Sequence, residues 1–214
     1  APDPWQWTPW EYVRATGRWD DPTGTYRVLY TGGSIYACLV EVLAQFRRDP
    51  TLAALLAELD TADETDNGTA PAGTVSALWL AERAIGTARM TGRFVTIGHS
   101  HTLSWLQRRA PLLLVHHDVR DIDGALIRGA ESRSFTQAVS GVFYGWNDDH
   151  GPLDGISFRS RWGDDLLLWA IYERSRPRQA AKTGPALEDP IHELIDVHSV
   201  DVLRALALHH LQLG

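Results

Sequence analysis

Residues 26–34 have the sequence Tyr-Arg-Val-Leu-Tyr-Thr-Gly-Gly-Ser, in which a strand pattern gives way to the start of a helix. Tyr26, Val28 and Tyr30 occupy alternate positions, and this period of two predicts a β-strand over residues 26–30. Two glycines interrupt the pattern, and Ser34 has a side chain suited to capping a helix N-terminus. Apolar residues at helical spacing then predict an amphipathic helix over residues 34–48, namely Ile35, Leu39, Val42, Leu43 and Phe46.

The rest of the chain continues this mixture of patterns. Strands are predicted over residues 11–14, 93–97, 155–161 and 165–172, and the last of them is apolar enough to be buried on both faces. Helices are predicted over residues 51–59, 103–109 and 134–143, and a C-terminal helix carries Val202, Leu203, Leu206 and His209 or His210. Because strands and helices do not alternate regularly, the pattern predicts an α+β domain.

The composition is typical of a compact globular protein. The 214 residues predict one domain over 1–214, with a helical extension at 190–214. A net charge of -7 argues against a protein that coats nucleic acid through bulk charge. The single cysteine, Cys38, cannot form an intramolecular disulfide, and no apolar run reaches the ~20 residues that span a bilayer. A cytoplasmic location is therefore expected, while the missing initiator Met leaves the native N-terminus open.

Common catalytic signatures are absent from the sequence. Among nine histidines, His99 and His101 would point to the same side of a strand and His116 adjoins His117, yet no zinc-ligand spacing occurs, so a metal site is not expected. The nucleophile motif Gly-x-Ser-x-Gly and the two glycine-rich phosphate-binding motifs do not occur either. The acidic residues between 60 and 74 lack the spacing of a calcium loop and indicate a solvated loop.

Four residues draw attention through their local chemistry. Glu41 lies about 140° from the centre of the apolar stripe of its helix, at ~100° per residue, and has no basic residue at i+3 or i+4. Ser160 shares a predicted strand face with apolar residues, where a hydroxyl needs a hydrogen-bond partner. Arg18 follows a glycine in a predicted loop, and Tyr30 lies at the end of the first strand. Taken singly, each also fits an ordinary structural role.

Four segments, taken in order, resemble the RES-domain family, which is named for its Arg, Glu and Ser. They are residues 17–22 (Gly-Arg-Trp-Asp-Asp-Pro), 28–34 (Val-Leu-Tyr-Thr-Gly-Gly-Ser), 40–44 (Val-Glu-Val-Leu-Ala) and 154–161 (Asp-Gly-Ile-Ser-Phe-Arg-Ser-Arg). The separations also fit, with 12 residues from Arg18 to Tyr30 and 11 from Tyr30 to Glu41. Residues 93–96 and 134–138 are similar to a strand and a helix of the family, so the resemblance spans residues 12–173.

The resemblance implies a fold similar to ADP-ribosyltransferase toxins, with a mixed β core and flanking helices, and an activity on NAD+. Many relatives are toxins of toxin–antitoxin pairs that split the nicotinamide–ribose bond with water or phosphate. The matching functional positions are Arg18, Tyr30, Glu41 and Ser160, with NAD+ as the substrate and no metal. Arg14 is a further candidate for substrate binding, although it precedes Arg18 by only four residues and relatives usually have a longer segment there.

These residue types suit the chemistry. Cleavage of the nicotinamide–ribose bond builds positive charge on the ribose, which a carboxylate such as that of Glu41 stabilises. Arg18 can hold the pyrophosphate through paired hydrogen bonds, and Tyr30 offers a flat face to nicotinamide. Ser160 can bond to the ribose or to a phosphate.

Other functions stay open from the sequence alone. They are a protein ADP-ribosyltransferase that uses the same site, a module that binds NAD+ without turnover, and a structural protein suggested by nine tryptophans. Because relatives often pair with a helix-turn-helix antitoxin, such a partner is a candidate, whereas direct binding of nucleic acid or membrane is not expected. The apolar face that includes Leu203 and Leu206 can serve docking or self-association, and more simply packs within the chain.

Overall fold

The computed structural model describes residues 3–48, 51, 73–129, 133–174 and 186–214, and its mixture of helices and strands confirms the α+β class. The strands are β1 (Val28–Gly32), β2 (Thr74–Val75), β3 (Ala84–Thr91), β4 (Phe94–Thr96), β5 (Asn147–Asp148), β6 (Gly151–Pro152), β7 (Gly155–Ser160), β8 (Gly163–Tyr172), β9 (Ala186–Leu194) and β10 (Gln212–Leu213). The helices are α1 (Ile35–Leu43), α2 (Ala77–Ala81), α3 (Ser100–Arg109), α4 (Pro111–His116), α5 (Gly124–Arg128), α6 (Arg133–Tyr144) and α7 (Val200–Leu208). Short 3₁₀ turns span Trp10–Tyr12 and Ala44–Phe46.

The chain divides into two compact units. The first comprises Ala1–Pro4, Ser34–Gly86 and His192–Gly214, and the second comprises Trp5–Gly33 and Thr87–Ile191. The division falls directly after the glycines that end β1, so β1 belongs to the second unit and α1 to the first. The prediction of one domain over residues 1–214 stays a prediction.

A four-stranded sheet in the order β1-β8-β7-β4 forms the centre of the second unit. The β1–β8 and β8–β7 pairs are antiparallel, whereas β7 and β4 are parallel. Gly155 begins β7 opposite Ile171, and a Cβ atom at Gly155 would overlap the carbonyl of Ala170. The close approach of these two central strands therefore requires glycine at this position.

The predicted apolar face of β7 is buried, but burial does not alternate along the whole strand. Ile156, Phe158 and Ser160 are buried as predicted, Ser157 on the other face is buried as well, and Arg159 is exposed. The prediction that residues 165–172 are buried on both faces is wrong for the first part of this segment, because Asp165 is exposed and Leu167 and Trp169 are half-buried. Only its last three residues, 170–172, are buried on both faces, where β8 lies between β1 and β7.

A buried polar network joins α6 to the sheet of the second unit. Ser140 Oγ donates a hydrogen bond to the carbonyl of Trp19 at 2.7 Å and accepts one from Tyr26 Oη at 3.0 Å. Tyr172 Oη donates to the carbonyl of Ser140 at 3.0 Å. Because Trp19 and Ser140 are fully buried, these bonds satisfy groups that would otherwise be costly to remove from water.

Helices α1 and α7 pack against each other in the first unit. Ser34 caps α1 as predicted, because its Oγ accepts a hydrogen bond from the N–H of Ala37 at 3.1 Å. His209, which follows α7 and is 4% exposed, donates from Nε2 to the carbonyl of Val40 in α1 at 2.7 Å. The last four carbonyls of a helix have no partner within it, so His209 supplies a donor for Val40. In the same unit β10 pairs in parallel with β2.

Most elements predicted from periodicity are confirmed with shifted ends. The strand predicted over 26–30 is observed at 28–32, and the helix predicted over 34–48 consists of α1 and a 3₁₀ turn that ends at Phe46. The strand predicted over residues 11–14 is wrong, since a 3₁₀ turn occupies Trp10–Tyr12. Pro9 precedes this turn, and its fixed φ favours a turn there. The predicted helix at 51–59 and the loop at 60–74 lie almost wholly outside the described residues.

Two further placements differ from the sequence predictions. His99 and His101 lie at the start of α3 and not on a strand, and the Nδ1 atom of His99 caps the helix by accepting the N–H of His101. The predicted helical extension at 190–214 contains α7 but also the end of β9 and all of β10. In the described part of the chain, every helix is too short or too polar to cross a membrane.

Candidate functional site

A tight turn over residues 17–20 carries Arg18. The N–H of Gly17 donates to Asp20 Oδ2 at 2.6 Å, which closes the turn on itself. Tyr30 Oη accepts a hydrogen bond from the N–H of Trp19 at 2.9 Å and donates one to Asp20 Oδ1 at 2.9 Å. A Cβ atom at Gly17 would collide with the Tyr30 hydroxyl, so the turn requires glycine where the sequence has it. Two of the predicted site residues, Arg18 and Tyr30, are therefore brought together.

The Tyr30 side chain has one enclosed end and one accessible side. The residue is 42% exposed, yet its hydroxyl lies within the turn and is fully hydrogen-bonded. Burial raises the pKa of the Tyr30 hydroxyl well above its usual range, and the negative charge of Asp20 adds to this effect. The phenol stays protonated as a donor to Asp20, and the exposed part of the side chain remains available for contact with a ligand.

Arg18 lies against the β7 strand face. Its Cζ atom is 6.0 Å from the centre of the Phe158 ring, and Nη1 donates to the carbonyl of Ile127 in α5 at 3.4 Å. The neighbouring Trp19 is completely buried, and its ring centre lies 5.5 Å from that of Phe158. Because Phe158 and Ser160 are two residues apart on one strand face, Arg18 and Ser160 belong to the same region of the second unit.

Ser160 is 2% exposed, and a local contact explains its hydroxyl on an apolar face. Its Oγ atom accepts the N–H of Trp162 at 2.9 Å, in the turn between β7 and β8. The ladder between these strands is irregular at Arg159 and Ser160, where Ser160 pairs with Gly163. The hydroxyl therefore shapes the end of β7, a role that sequence reasoning did not consider for it.

Glu41 and Arg14 are the two remaining predicted residues. Glu41 lies in α1 of the first unit, where its side chain is half-buried and the adjacent Val40 is bonded to His209. Arg14 is exposed and follows the 3₁₀ turn in the second unit, outside any strand. The family-like strand expected around Arg14 is therefore not formed. Among the predicted residues, Arg18 and Tyr30 meet at the turn over residues 17–20, and Ser160 lies two residues after Phe158, the ring that Arg18 faces.

Two residues that sequence reasoning missed support Arg18 from distant parts of the chain. Gln137 of α6 donates from Nε2 to the carbonyls of Ala15 at 2.8 Å and Gly17 at 3.0 Å, and so fixes the entry to the turn. Phe158 supplies the ring beneath the guanidinium. Gln137 is 9% exposed, and its position among buried residues of a helix is a signal that could have indicated a structural hydrogen bond.

A second cation lies close to the Arg18 contacts. Arg128 directly follows Ile127, whose carbonyl accepts from Arg18, and its Nη1 atom lies 2.7 Å from Asp164 Oδ1 at the start of β8. Both side chains of this ion pair are well exposed, at 46% and 75%. Arg128 therefore joins Arg18 near the end of β7, and its charge is partly neutralised by Asp164. No sequence motif marks Arg128.

Two cavities in the second unit are lined by other residues. One, of about 460 Å³, lies along α6 beside Asp21, and the other, of about 360 Å³, is bordered by Trp105, Phe143 and Trp146. Neither is lined by Arg18, Tyr30 or Ser160. The described residues contain no group of three or more His, Cys, Asp or Glu side chains that could hold a metal ion.

Comparison of the chain with protein-family models, with curated proteins and with solved structures finds no match.

Proposed function

We propose that the protein is an NAD+-consuming enzyme that cleaves the bond between nicotinamide and ribose with water or phosphate. The observation that carries the proposal is the turn over residues 17–20, which Tyr30 and Gln137 hold so that Arg18 lies over Phe158. This turn belongs to the segments that resemble the RES-domain family. An arginine in a closed turn is suited to binding a pyrophosphate through paired hydrogen bonds. Such a local positive charge is needed because the net charge of -7 repels an anionic ligand.

The proposed reaction breaks one C–N bond and forms one C–O bond. The bonding electrons leave with nicotinamide, which departs as a neutral molecule and needs no strong acid. Water or phosphate adds to the ribose carbon and gives ADP-ribose or its 1-phosphate, and with water a proton passes to solvent. Glu41 is the proposed group that stabilises the positive charge on the ribose in the transition state.

The other residues receive roles that follow from their contacts. The exposed side of Tyr30 is proposed to contact nicotinamide, because its hydroxyl is occupied within the turn. Arg128 is proposed to assist Arg18 with the phosphates, since it adjoins the residue that accepts from Arg18. Ser160 acts as a positioning residue that shapes the end of β7 through Trp162. Arg14 is exposed, and we propose that it contacts a phosphate at the edge of the site.

The proposal also includes four features that the resemblance to the RES-domain family implies. They are a β core similar to that of ADP-ribosyltransferases, toxin activity, a cytoplasmic location and a helix-turn-helix antitoxin. The mixed sheet of the second unit, with three antiparallel-linked strands and one parallel strand, is compatible with such a core.

The decisive experiment measures nicotinamide release from NAD+ with and without phosphate. We expect turnover by the wild-type protein and a loss of roughly 100-fold or more in kcat for Glu41→Gln, because the carboxylate acts mainly in the transition state. Glu82→Gln is the matched control, since Glu82 is an exposed glutamate of the same unit. Equal rates for Glu41→Gln and the control would remove Glu41 from the reaction.

The products separate the proposed reaction from its alternatives. Free ADP-ribose indicates hydrolysis, ADP-ribose 1-phosphate indicates phosphorolysis, and label from NAD+ on a macromolecule indicates transfer to protein. Binding of NAD+ without nicotinamide release by the wild-type protein, over a range of pH and phosphate concentration, would overturn the enzyme proposal and favour a binding module.

A further inference from the structure

Helix α1, which carries Glu41, is held by α7 at two points on one side. The Nε2 atom of His209, directly after α7, donates to the main-chain carbonyl of Val40 at 2.7 Å. One turn earlier, the Cζ atom of Arg204 lies 4.3 Å from the centre of the Tyr36 ring. Tyr36 and Val40 are four residues apart and therefore lie on the same face of α1. All of these residues belong to the first unit.

The hydrogen bond from His209 to Val40 lies in the core of this unit. Both residues are buried, so bulk water does not compete for the bond. Val202 and Leu206 of α7 are buried as well, and with His209 they follow the spacing of one helix face, which packs against α1. The acceptor is a main-chain oxygen. The bond therefore holds the helix itself and not a side chain that can rotate.

Two contacts on one face fix the rotation of α1 about its own axis. Glu41 follows Val40 and lies ~100° further around the helix, where its side chain is half-buried. A side chain ends about 5–6 Å from the helix axis, so a rotation of about 10° moves its end by about 1 Å. A displacement of about 1 Å at a reacting group can lower a rate about 100-fold. A small rotation of α1 against α7 is therefore a large change for a carboxylate that acts in a transition state.

We propose that His209 is a positioning residue for the carboxylate of Glu41, because its bond to Val40 sets the rotation of α1. This inference rests on the proposed function, in which Glu41 stabilises the positive charge on the ribose. His209 acts through the helix and not on the substrate, since its Nε2–H is directed to a carbonyl inside the first unit. Arg204 supports the same orientation of α1 one turn away, through Tyr36.

The first test measures kcat and KM for NAD+ in His209→Leu, with the folded fraction determined by circular dichroism. Leucine keeps an apolar side chain but has no donor, so we expect kcat per folded molecule to fall at least about tenfold while KM stays within about twofold of the wild type. His209→Gln should restore most of kcat, because its amide nitrogen can donate the same bond. His198→Leu is the control, since His198 is an exposed histidine of the same unit.

A double-mutant cycle with Glu41 separates positioning from a general loss of structure. If His209 acts through the carboxylate, His209→Leu has little left to remove once Glu41→Gln is present. We expect kcat of the double variant to lie within about twofold of that of Glu41→Gln alone. Additive losses in kcat from the two substitutions would refute the positioning role, even where each substitution lowers kcat by itself.

Arg204→Gln decides the question where His209→Leu does not fold. Arg204 is exposed, so its replacement leaves the core intact and removes only the cation over Tyr36. We expect kcat to fall several-fold with KM unchanged, and an unchanged kcat would overturn the inference. Turnover by the wild type with equal kcat in His209→Leu and His198→Leu overturns this inference alone. Absence of nicotinamide release by the wild type overturns the proposed function and this inference with it.

Discussion

The Tyr30 hydroxyl joins two parts of the second unit that are ten or more residues apart in the chain. It accepts from the N–H of Trp19 and donates to Asp20, and its ring belongs to β1. The turn that carries Arg18 therefore depends on a strand residue for its shape. This explains why a tyrosine and a Gly-Arg pair, each unremarkable alone, occur together in this sequence.

Replacement of Tyr30 by phenylalanine tests this dependence. The variant leaves the Trp19 N–H and the Asp20 carboxylate without their partner, so we expect the free energy of unfolding to fall by about 1–3 kcal/mol. Urea unfolding followed by tryptophan fluorescence measures the change. Tyr12→Phe is the control, because Tyr12 is 64% exposed and should change stability by less than about 0.5 kcal/mol. Equal stabilities of the two variants would show that the turn does not need the hydroxyl.

Arg128 offers a prediction that follows from the proposed function. Its exposed ion pair with Asp164 contributes at most about 1 kcal/mol to folding, so Arg128→Gln should leave stability almost unchanged. We expect KM for NAD+ to rise several-fold while kcat stays close to wild type, because a phosphate contact is made equally in the ground and transition states. Arg89→Gln is the control, since Arg89 is 77% exposed beside Glu188. An unchanged KM would remove Arg128 from the substrate site.

At the scale of elements, α1 is held at both ends by side chains. Ser34 caps its N-terminus, and His209 reaches from the end of α7 to the carbonyl of Val40 near its C-terminus. This second contact joins residues 169 positions apart in the sequence. The position of the Glu41 backbone within the first unit therefore depends on α7.

Replacement of His209 by leucine keeps an apolar side chain of similar length and removes the donor. We expect unfolding to become easier by about 1–3 kcal/mol, because a buried carbonyl loses its partner. Thermal unfolding at neutral pH measures the effect, with the exposed His198→Leu as control. If His209→Leu is as stable as the control, the hydrogen bond to Val40 contributes nothing to the packing of α1 on α7.

The elements that could be predicted from the sequence are those with long, regular periodicity. The apolar face of β7 and the apolar spacing in α1 and α6 are local properties, and the structure forms all three elements, each with buried apolar residues. The pair of β3 and β9 was missed, because its strands are almost 100 residues apart and neither has a strongly apolar face. Helices α2 and α5 have only five residues, too few to show a period.

In the candidate site, too, contacts between nearby residues could be predicted from the sequence and contacts between distant residues could not. The hydrogen bond from the Trp19 N–H to the Tyr30 hydroxyl joins residues only 11 positions apart, so sequence reasoning could place Tyr30 beside the turn that carries Arg18. The supports from Gln137 and Phe158 come from more than 100 residues away, and no local pattern reports such contacts. Ser160 was an anomaly by pattern, and only the turn geometry identified Trp162 as its partner.

At the scale of the whole molecule, acid stability depends on Asp21. The pKa of Asp21 is lower in the folded than in the unfolded chain, so in acid the unfolded chain binds more protons at this residue. The contribution of Asp21 to the free energy of unfolding is therefore present above about pH 4 and is lost as the pH falls below this value. We expect Asp21→Asn to lose about 1–3 kcal/mol at pH 7, because several donors lose their acceptor, and to show a weaker pH dependence below pH 4. Urea unfolding between pH 2.5 and 7 measures both, at ~0.5 unit steps. An unaltered acid dependence in Asp21→Asn would assign acid unfolding to other carboxylates.

Alkaline stability depends on three tyrosines of the second unit. Burial raises the pKa of Tyr26 to about 12, with a further contribution from Asp21, and it also raises the pKa values of Tyr30 and Tyr172. In the unfolded chain these phenols ionise near pH 10, so above about pH 10 the folded state binds more protons and the free energy of unfolding falls as pH rises. Each such phenol contributes a slope of up to about 1.4 kcal/mol per pH unit between its two pKa values.

The Tyr26→Phe variant separates this effect from general alkaline damage. Its stability at pH 8 falls because the hydrogen bond to Ser140 is lost, but its slope above pH 10 should be smaller than that of the wild type by about one proton. Urea unfolding at pH 9, 10 and 11 gives both slopes, and the difference between them is independent of the starting stability. Identical slopes would mean that Tyr26 ionises equally in the folded and unfolded states, contrary to its burial between Tyr144 and Tyr172.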